Sequence, residues 1–199
     1  MSASTIDGKG LAKTIREGLT DRVAKITKAL GRAPGLGVIL VGEDAASQVY
    51  VRNKEKAALK AGMKSEIVRL SADVTQAEVE AAVDSMNADE SIDGFLVQLP
   101  LPKGFDEKAV TDRIRPEKDA DGLHPTSLGR LVAGIEAPRP CTPSGCIELL
   151  RHADVGLEGA HAVVVGRSTI VGKPMAMLLL NENATVTVCH SRTRDLKDQ

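Results

Sequence analysis

Residues 41–62 read VGEDAASQVYVRNKEKAALKAG, and the apolar run Leu36–Val41 leads directly into them. Gly42 ends the run, Asp44 suits a helix N-cap, and Ala-, Lys- and Glu-rich sequence continues to Gly62. A buried strand passing straight into a helix is the opening of a parallel α/β unit. Along that helix Ser47, Tyr50 and Lys54 fall at i, i+3 and i+7, so their side chains share one side. Tyr50 is the sole tyrosine of a chain with no tryptophan and two phenylalanines. An aromatic ring one turn from a lysine, just beyond a strand end, predicts a ligand platform beside a proton-transfer group. The same residues fit a solvated helix with a half-buried tyrosine, and the rest of the chain separates the two readings.

Outward from this stretch the alternation repeats. Upstream, residues 9–30 carry Leu11, Ile15, Leu19, Val23, Ile26 and Leu30 along one helical face. Downstream, Glu66–Leu70 reads as a strand, and Thr75 with Glu78 forms a capping box opening a helix with Val79, Ala82, Val83 and Met86 inside. Gly94–Leu99 is a third strand, stopped by Pro100 and Pro102. A short helix over Asp106–Ile114 precedes the charged loop 115–125, and Thr142 with Pro143 reads as N-cap and N1 of a helix to about His152. A second unit begins near Leu157: strand His161–Val165, a glycine-bearing turn, helix Met175–Leu180 and strand Thr185–Cys189. Strands alternating with helices predict parallel sheet with crossover connections. The expected domains are 1–140 and 141–199, with the boundary somewhere within 136–158.

Composition narrows the function classes. A formal net charge of −1 over 199 residues lacks the basic excess expected for a nucleic-acid partner. No apolar run approaches bilayer length, and residues 1–10 carry no signal-peptide core, so no membrane partner is expected. Cys141, Cys146 and Cys189 form no C-x-x-C pair and are odd in number, which suits reduced thiols in a cytoplasmic protein and no metal site.

Ligands of open parallel sheets gather beyond the carboxyl ends of the strands. There the sequence places Ser47, Tyr50 and Lys54 after the first strand, Gln98 at the end of the third, and Asp119 and Asp121 in the loop beyond the next helix. Lysine, glutamine and aspartate together suit a flat heterocycle and a proton transfer. Singly, Gln98 also fits a residue that ties down the proline turn, and Asp121-Gly122 fits plain turn chemistry. The Gly166–Pro174 turn resembles a dinucleotide-phosphate cradle at a helix N-terminus. It is neither a P-loop, with five residues between Gly166 and Gly172 and Pro174 in the Ser/Thr position, nor a G-x-G-x-x-G. An NAD site presents an acid at the end of the next strand. Here Cys189–Arg194 contains none, whereas Arg167, Ser191 and Arg192 suit a 2′-phosphate, so NADP is expected as cofactor. The competing reading is an exposed basic loop.

Six stretches then align in order with one family. VGEDAASQVYVRNKEK at 41–56, GFLVQLPLP at 94–102, PEKDADGLHP at 116–125, PCTPSG at 140–145, VVGRSTIVGKPMAMLL at 164–179 and ATVTVCHSRT at 184–193 resemble the bifunctional methylenetetrahydrofolate dehydrogenase/methenyltetrahydrofolate cyclohydrolase family. The resemblance implies an N-terminal α/β folate-binding catalytic domain followed by a Rossmann-type NADP-binding domain, in a homodimer. It implies that Tyr50 stacks on the folate, Lys54 is the acid–base residue of the cyclohydrolase step, Gln98 orients Lys54 and Asp121 grips the pterin edge. Ser47 becomes a neighbour that positions Lys54, and Leu99 a further folate contact. Gly166, Arg167, Ser168, Ile170 and Gly172 match the cofactor turn, with Ser191 and Arg192 near the 2′-phosphate. The family continues past the position of Gln199, so the resemblance also implies a C-terminally incomplete Rossmann unit, an exposed sheet edge at the strand ending in Cys189, and weak or absent dehydrogenase turnover by these 199 residues alone. Two other activities fit less well: a monofunctional dehydrogenase, which would not need Lys54, and a non-catalytic nucleotide- or folate-binding module.

Overall fold

In the computed structural model, which describes residues 3–199, the first apolar run becomes the middle of a sheet. β1 (Gly35–Val41) pairs in parallel with β2 (Lys64–Leu70), from Gly35↔Lys64 to Val41↔Leu70, and on its other side with β3 (Gly94–Val97), from Leu36↔Gly94 to Ile39↔Val97. The strand order is therefore β2-β1-β3. Strand periodicity sends alternate β1 side chains to opposite faces. Val38 and Leu40, with Leu96, meet Val51 of α2 (Ala45–Lys60), while Ile39 and Val41, with Phe95 and Val97, meet Val79, Val83 and Met86 of α3 (Gln76–Ala88). On the α3 face, beside Ile39, Gly37 leaves no space for a side chain. A Cβ there would lie 2.7 Å from the Phe95 Cβ and 2.8 Å from the Met86 Sδ.

Capping follows the sequence closely at two helices. Asp44 accepts from the Ser47 N–H at 2.8 Å, and the Thr75/Glu78 capping box is complete, with the Thr75 N–H donating to Glu78 Oε2 at 2.7 Å. The long helix α1 runs Gly8–Leu30, and α4 (Glu107–Asp112) is capped by Asp106. No helix among the described residues is long and apolar enough to cross a membrane.

An Arg–carboxylate fork closes the N-terminal edge of the sheet. Arg32 Nη1 and Nη2 donate to Asp93 Oδ2 and Oδ1 at 2.7 and 2.8 Å, and the Gly35 N–H donates to the same carboxylate at 2.7 Å. The Arg32 side chain holds the Asp93 carboxyl below its usual range. Folding thus favours the ionised form, so this contribution is present above the unfolded pKa and is lost as pH falls below about 4. Asp93→Asn should lower the thermal midpoint at neutral pH and flatten its fall on acidification. Melting curves with the same acid slope in both proteins would remove Asp93 from that role.

Packing divides the chain into two units, Ala12–Ala120 and a second made of 121–199 together with the residues up to Leu11. The segment 121–140, assigned above to the first domain, thus belongs with the second unit. Its anchor is α5 (Pro125–Val132), whose Leu131 is buried with Ile147 of α6 (Cys141–His152) and with Leu178 and Leu179 of α7 (Gly172–Asn181). β4 (His161–Val165) pairs in parallel with β5 (Thr185–Cys189), from His161↔Thr185 to Val165↔Cys189. Ala162, Val164 and Val186 pack toward this core, while Val163 and Val165 on the other face are exposed.

Several boundaries differ from the sequence expectation. α5 begins where the charged loop 115–125 ends, in a stretch to which the sequence reading assigned no element. α6 starts at Cys141 with Pro140 as N-cap, so Thr142 sits inside the first turn and Pro143 at its third position. α7 starts at Gly172 rather than Met175, with Pro174 again third. First-turn N–H groups have no intrahelical acceptor, so a proline there costs the helix nothing. β3 ends at Val97, two residues before Leu99, although the Gln98 N–H still donates to the Ile39 carbonyl at 2.8 Å.

Candidate active site

With strand order β2-β1-β3 the chain passes from β1 to β2 on one side and then crosses back to β3 on the other, making the β1/β3 boundary the topological switch point of the first unit. Beyond it stand Lys54 on α2 and Gln98 after β3, and Lys54 Nζ donates to Gln98 Oε1 at 3.1 Å. The amide cannot turn freely. Gln98 Nε2 donates to the Leu99 carbonyl at 2.7 Å, which fixes Oε1 as the atom facing the ammonium. Lys54, Gln98 and Leu99 are all half-buried. The structure therefore brings Lys54, Gln98 and Leu99 together.

The other α2 residues occupy different depths. Ser47 is buried at 2% exposure and Tyr50 is 62% exposed, so the shared side reaches from the helix underside to solvent. Ser47 interacts with Asp44: its N–H, and then its side chain, hold that carboxyl below the usual range. Tyr50 presents an uncovered ring face, as stacking requires.

Asp121 lies in the second unit and is half-buried. The Cys141 thiol donates to Asp121 Oδ1 at 3.7 Å, and Gly122, at φ +67°, passes within 2.7 Å of the Arg139 main chain measured from a Cβ position. Cys141 was read from sequence as a plain thiol. The available signal was its place in PCTPSG, one residue after a proline at a helix start. Among the described residues no group of three His, Cys, Asp or Glu could hold a metal.

The cofactor turn joins β4 to α7. Gly166 has φ +138°, a conformation that L side chains rarely adopt. Gly172 packs against it: a Cβ there would lie 2.4 Å from the Gly166 carbonyl oxygen and 2.7 Å from the Arg167 nitrogen. Ser168 Oγ accepts from the Val171 and Gly172 N–H groups at 3.2 and 3.3 Å, so the hydroxyl caps the helix. Arg167, Ser168, Thr169 and Ile170 are left exposed along the turn. The Gly166 N–H donates to the Cys189 carbonyl at 2.8 Å, joining this turn to the end of β5, where Ser191 and Arg192 are also exposed. Among the described residues neither Arg167 nor Arg192 is engaged in an ion pair. A glycine-tight helix start beside two unengaged guanidiniums fits a phosphorylated dinucleotide.

Comparison with known proteins agrees with both halves of this description. Residues 6–121 match the tetrahydrofolate dehydrogenase/cyclohydrolase catalytic domain, and residues 140–199 match the NAD(P)-binding domain of the same family. The bifunctional protein FolD of Streptococcus pyogenes (strain Manfredo) is 55% identical over 193 residues, covering 97% of this chain and 68% of the relative. The FolD dehydrogenase/cyclohydrolase of Campylobacter jejuni superposes with a TM-score of 0.92 at 43% identity, covering 98% of this chain and 69% of that one. The Trypanosoma brucei dehydrogenase-cyclohydrolase, complexed with NADP cofactor and inhibitor, gives a TM-score of 0.92 at 45% identity, covering 100% of this chain and 68% of that one. The chain belongs to the tetrahydrofolate dehydrogenase/cyclohydrolase family.

Proposed function

We propose that Lys54, oriented by Gln98, performs the proton transfers by which 5,10-methenyltetrahydrofolate is hydrolysed to 10-formyltetrahydrofolate, after NADP-dependent oxidation of 5,10-methylenetetrahydrofolate. The reactions are those of the family; the residue roles are our reading, and the Lys54–Gln98 contact at the switch point carries it. Bound NADP supplies the hydride acceptor. Loss of hydride from a carbon held between two nitrogens leaves a resonance-stabilised methenyl cation, so the protein's part in that step is to hold the carbon in place. Tyr50 supplies a stacking face, and Leu99 and Asp121 hold the substrate. Water then adds to the methenyl carbon, and ring opening requires a proton to leave the adduct and another to reach nitrogen. Lys54 serves those transfers, with Ser47 positioning it from beneath. Gly166, Ser168, Ile170 and Gly172 form the phosphate turn, and Arg167, Ser191 and Arg192 meet the 2′-phosphate. The free thiols support a cytoplasmic setting, and a homodimer is the expected assembly.

The test follows reduced nicotinamide after methylenetetrahydrofolate is added with NADP and, separately, with NAD. Cofactor preference rather than absolute rate is the quantity that decides. A signal with NADP well above that with NAD is expected, and Arg192→Gln should narrow the gap by about tenfold. Equal signals with the two cofactors would overturn the roles given to Arg167, Ser191 and Arg192.

A further inference from the structure

The residue between the end of β5 and the two proposed 2′-phosphate readers is His190. Its surroundings are specific. The His190 N–H donates to Thr193 Oγ1 at 2.8 Å, and the His190 carbonyl accepts from the Thr193 N–H at 2.8 Å, closing a four-residue turn. Within that turn the ring Nδ1 of His190 accepts from the Arg192 N–H at 3.1 Å. Since a main-chain N–H can only donate, Nδ1 carries no proton in this arrangement. The main chain around Ser191 and Arg192 is thus fixed by three bonds, all made by His190, while both of their side chains stay exposed.

The geometry matches an Asx turn, in which a side-chain oxygen of residue i accepts from the N–H of i+2. An imidazole replaces the oxygen here. The chain uses the same device a second time, where His124 Nδ1 accepts from the Thr126 N–H at 3.0 Å and caps α5. Holding the turn matters for a charged ligand. An arginine on an ordered main chain loses less conformational freedom on meeting a phosphate than one on a loose loop.

We infer that His190 is a positioning residue for cofactor choice: its Nδ1 bond to the Arg192 N–H, with the Thr193 bonds, holds Ser191 and Arg192 in register to read a 2′-phosphate. The inference rests on the proposed role of Arg192. Neither side chain of the 190/193 pair meets the phosphate; the effect passes through the main chain between them.

Calorimetric binding of 2′,5′-ADP and of 5′-AMP tests this without turnover, since the two ligands differ in the 2′-phosphate. The unsubstituted chain should bind 2′,5′-ADP more tightly. His190→Leu should narrow that ratio by about tenfold with 5′-AMP affinity unchanged, because it removes one ordering bond but no phosphate contact. His190→Asn, whose Oδ1 offers an acceptor at the same i to i+2 spacing, should keep the ratio within about threefold. Thr193→Val removes the Oγ1 acceptor and should narrow the ratio in the same direction, which keeps the test decisive should the leucine variant not fold. A ratio unchanged in both His190→Leu and Thr193→Val overturns the inference. So does an equal loss in the leucine and asparagine variants, which would implicate the ring rather than its acceptor. Arg192→Gln separates the two levels. If it leaves the ratio unchanged, the reading of the 2′-phosphate site itself fails; if it narrows the ratio while His190→Leu does not, only the positioning role fails.

Discussion

Replacing Lys54 with methionine should slow hydrolysis of 5,10-methenyltetrahydrofolate by about 10²–10⁴-fold, the range supplied by a positioned proton-transfer group. Hydride transfer to NADP should stay close to that of the unsubstituted chain, whatever its rate, because it depends on holding the methylene carbon and not on a base. Methionine suits the test: it keeps an unbranched side chain of similar reach, and its helix propensity is close to that of lysine. The change leaves Gln98 Oε1 without its 3.1 Å donor at a half-buried position open to water, a loss of about 1 kcal/mol that should not unfold the unit. The measurement is the decay of methenyl absorbance, run beside NADPH formation on the same preparation. Hydrolysis within about tenfold of the unsubstituted chain would mean that another group moves the protons. A parallel loss of both reactions would instead point to damaged substrate binding.

The second large effect is expected at Gly172. Its absent Cβ would stand 2.4 Å from the Gly166 carbonyl oxygen, 2.5 Å from the Gly166 carbonyl carbon and 2.7 Å from the Arg167 nitrogen. All three are main-chain atoms, so no rotamer change relieves the overlap and Gly172→Ala must open the turn. Overpacking of this kind costs about 1–3 kcal/mol, and because NADP would have to restore the closed turn against that cost, binding should weaken by roughly 5- to 150-fold. The sign of the stability change makes the test sharp. In an unconstrained helix, alanine for glycine stabilises by about 1 kcal/mol. A melting temperature that falls, with NADP affinity lost and methenyl hydrolysis kept, fits the close approach of α7 to the turn. A variant that melts higher and binds NADP as before would contradict it.

Much of this arrangement was legible in the sequence, and the reasons are local. Asp44 and the Thr75/Glu78 pair announce α2 and α3 because capping chemistry is read within four residues. β1 and β4 stand out as short apolar runs. α5 was illegible because its cap is His124, outside the usual Ser, Thr, Asp and Asn set, and because Gly129 interrupts a stretch of eight residues. Its stability comes from burying Leu131 against α6 and α7, which a local reading cannot see. The start of α7 was misplaced because Gly172 and Pro174 read as turn signals, yet the first helical turn accepts both. That of α6 shifted by two residues because Pro143, read as the first helical residue, stands third.

The site shows the same division. Strand ends and helix spacing put Lys54 and Gln98 at neighbouring strand ends, but their contact links positions 44 residues apart and depends on the order of strands in the sheet. That residues 121–140 pack with the second unit was not legible, because packing and not composition holds them there. His190 escaped because a histidine acting as a turn-forming acceptor has no sequence signature of its own.

The bond from the Gly166 N–H to the Cys189 carbonyl acts as a fixed gauge. It joins the starts of the two segments proposed to read phosphate through main chain alone, so the spacing between them does not depend on which side chains stand at either end. Exchanging the residues at 191 and 192 to suit a bare ribose hydroxyl would therefore change what is read at one end of the gauge while leaving its length unaltered.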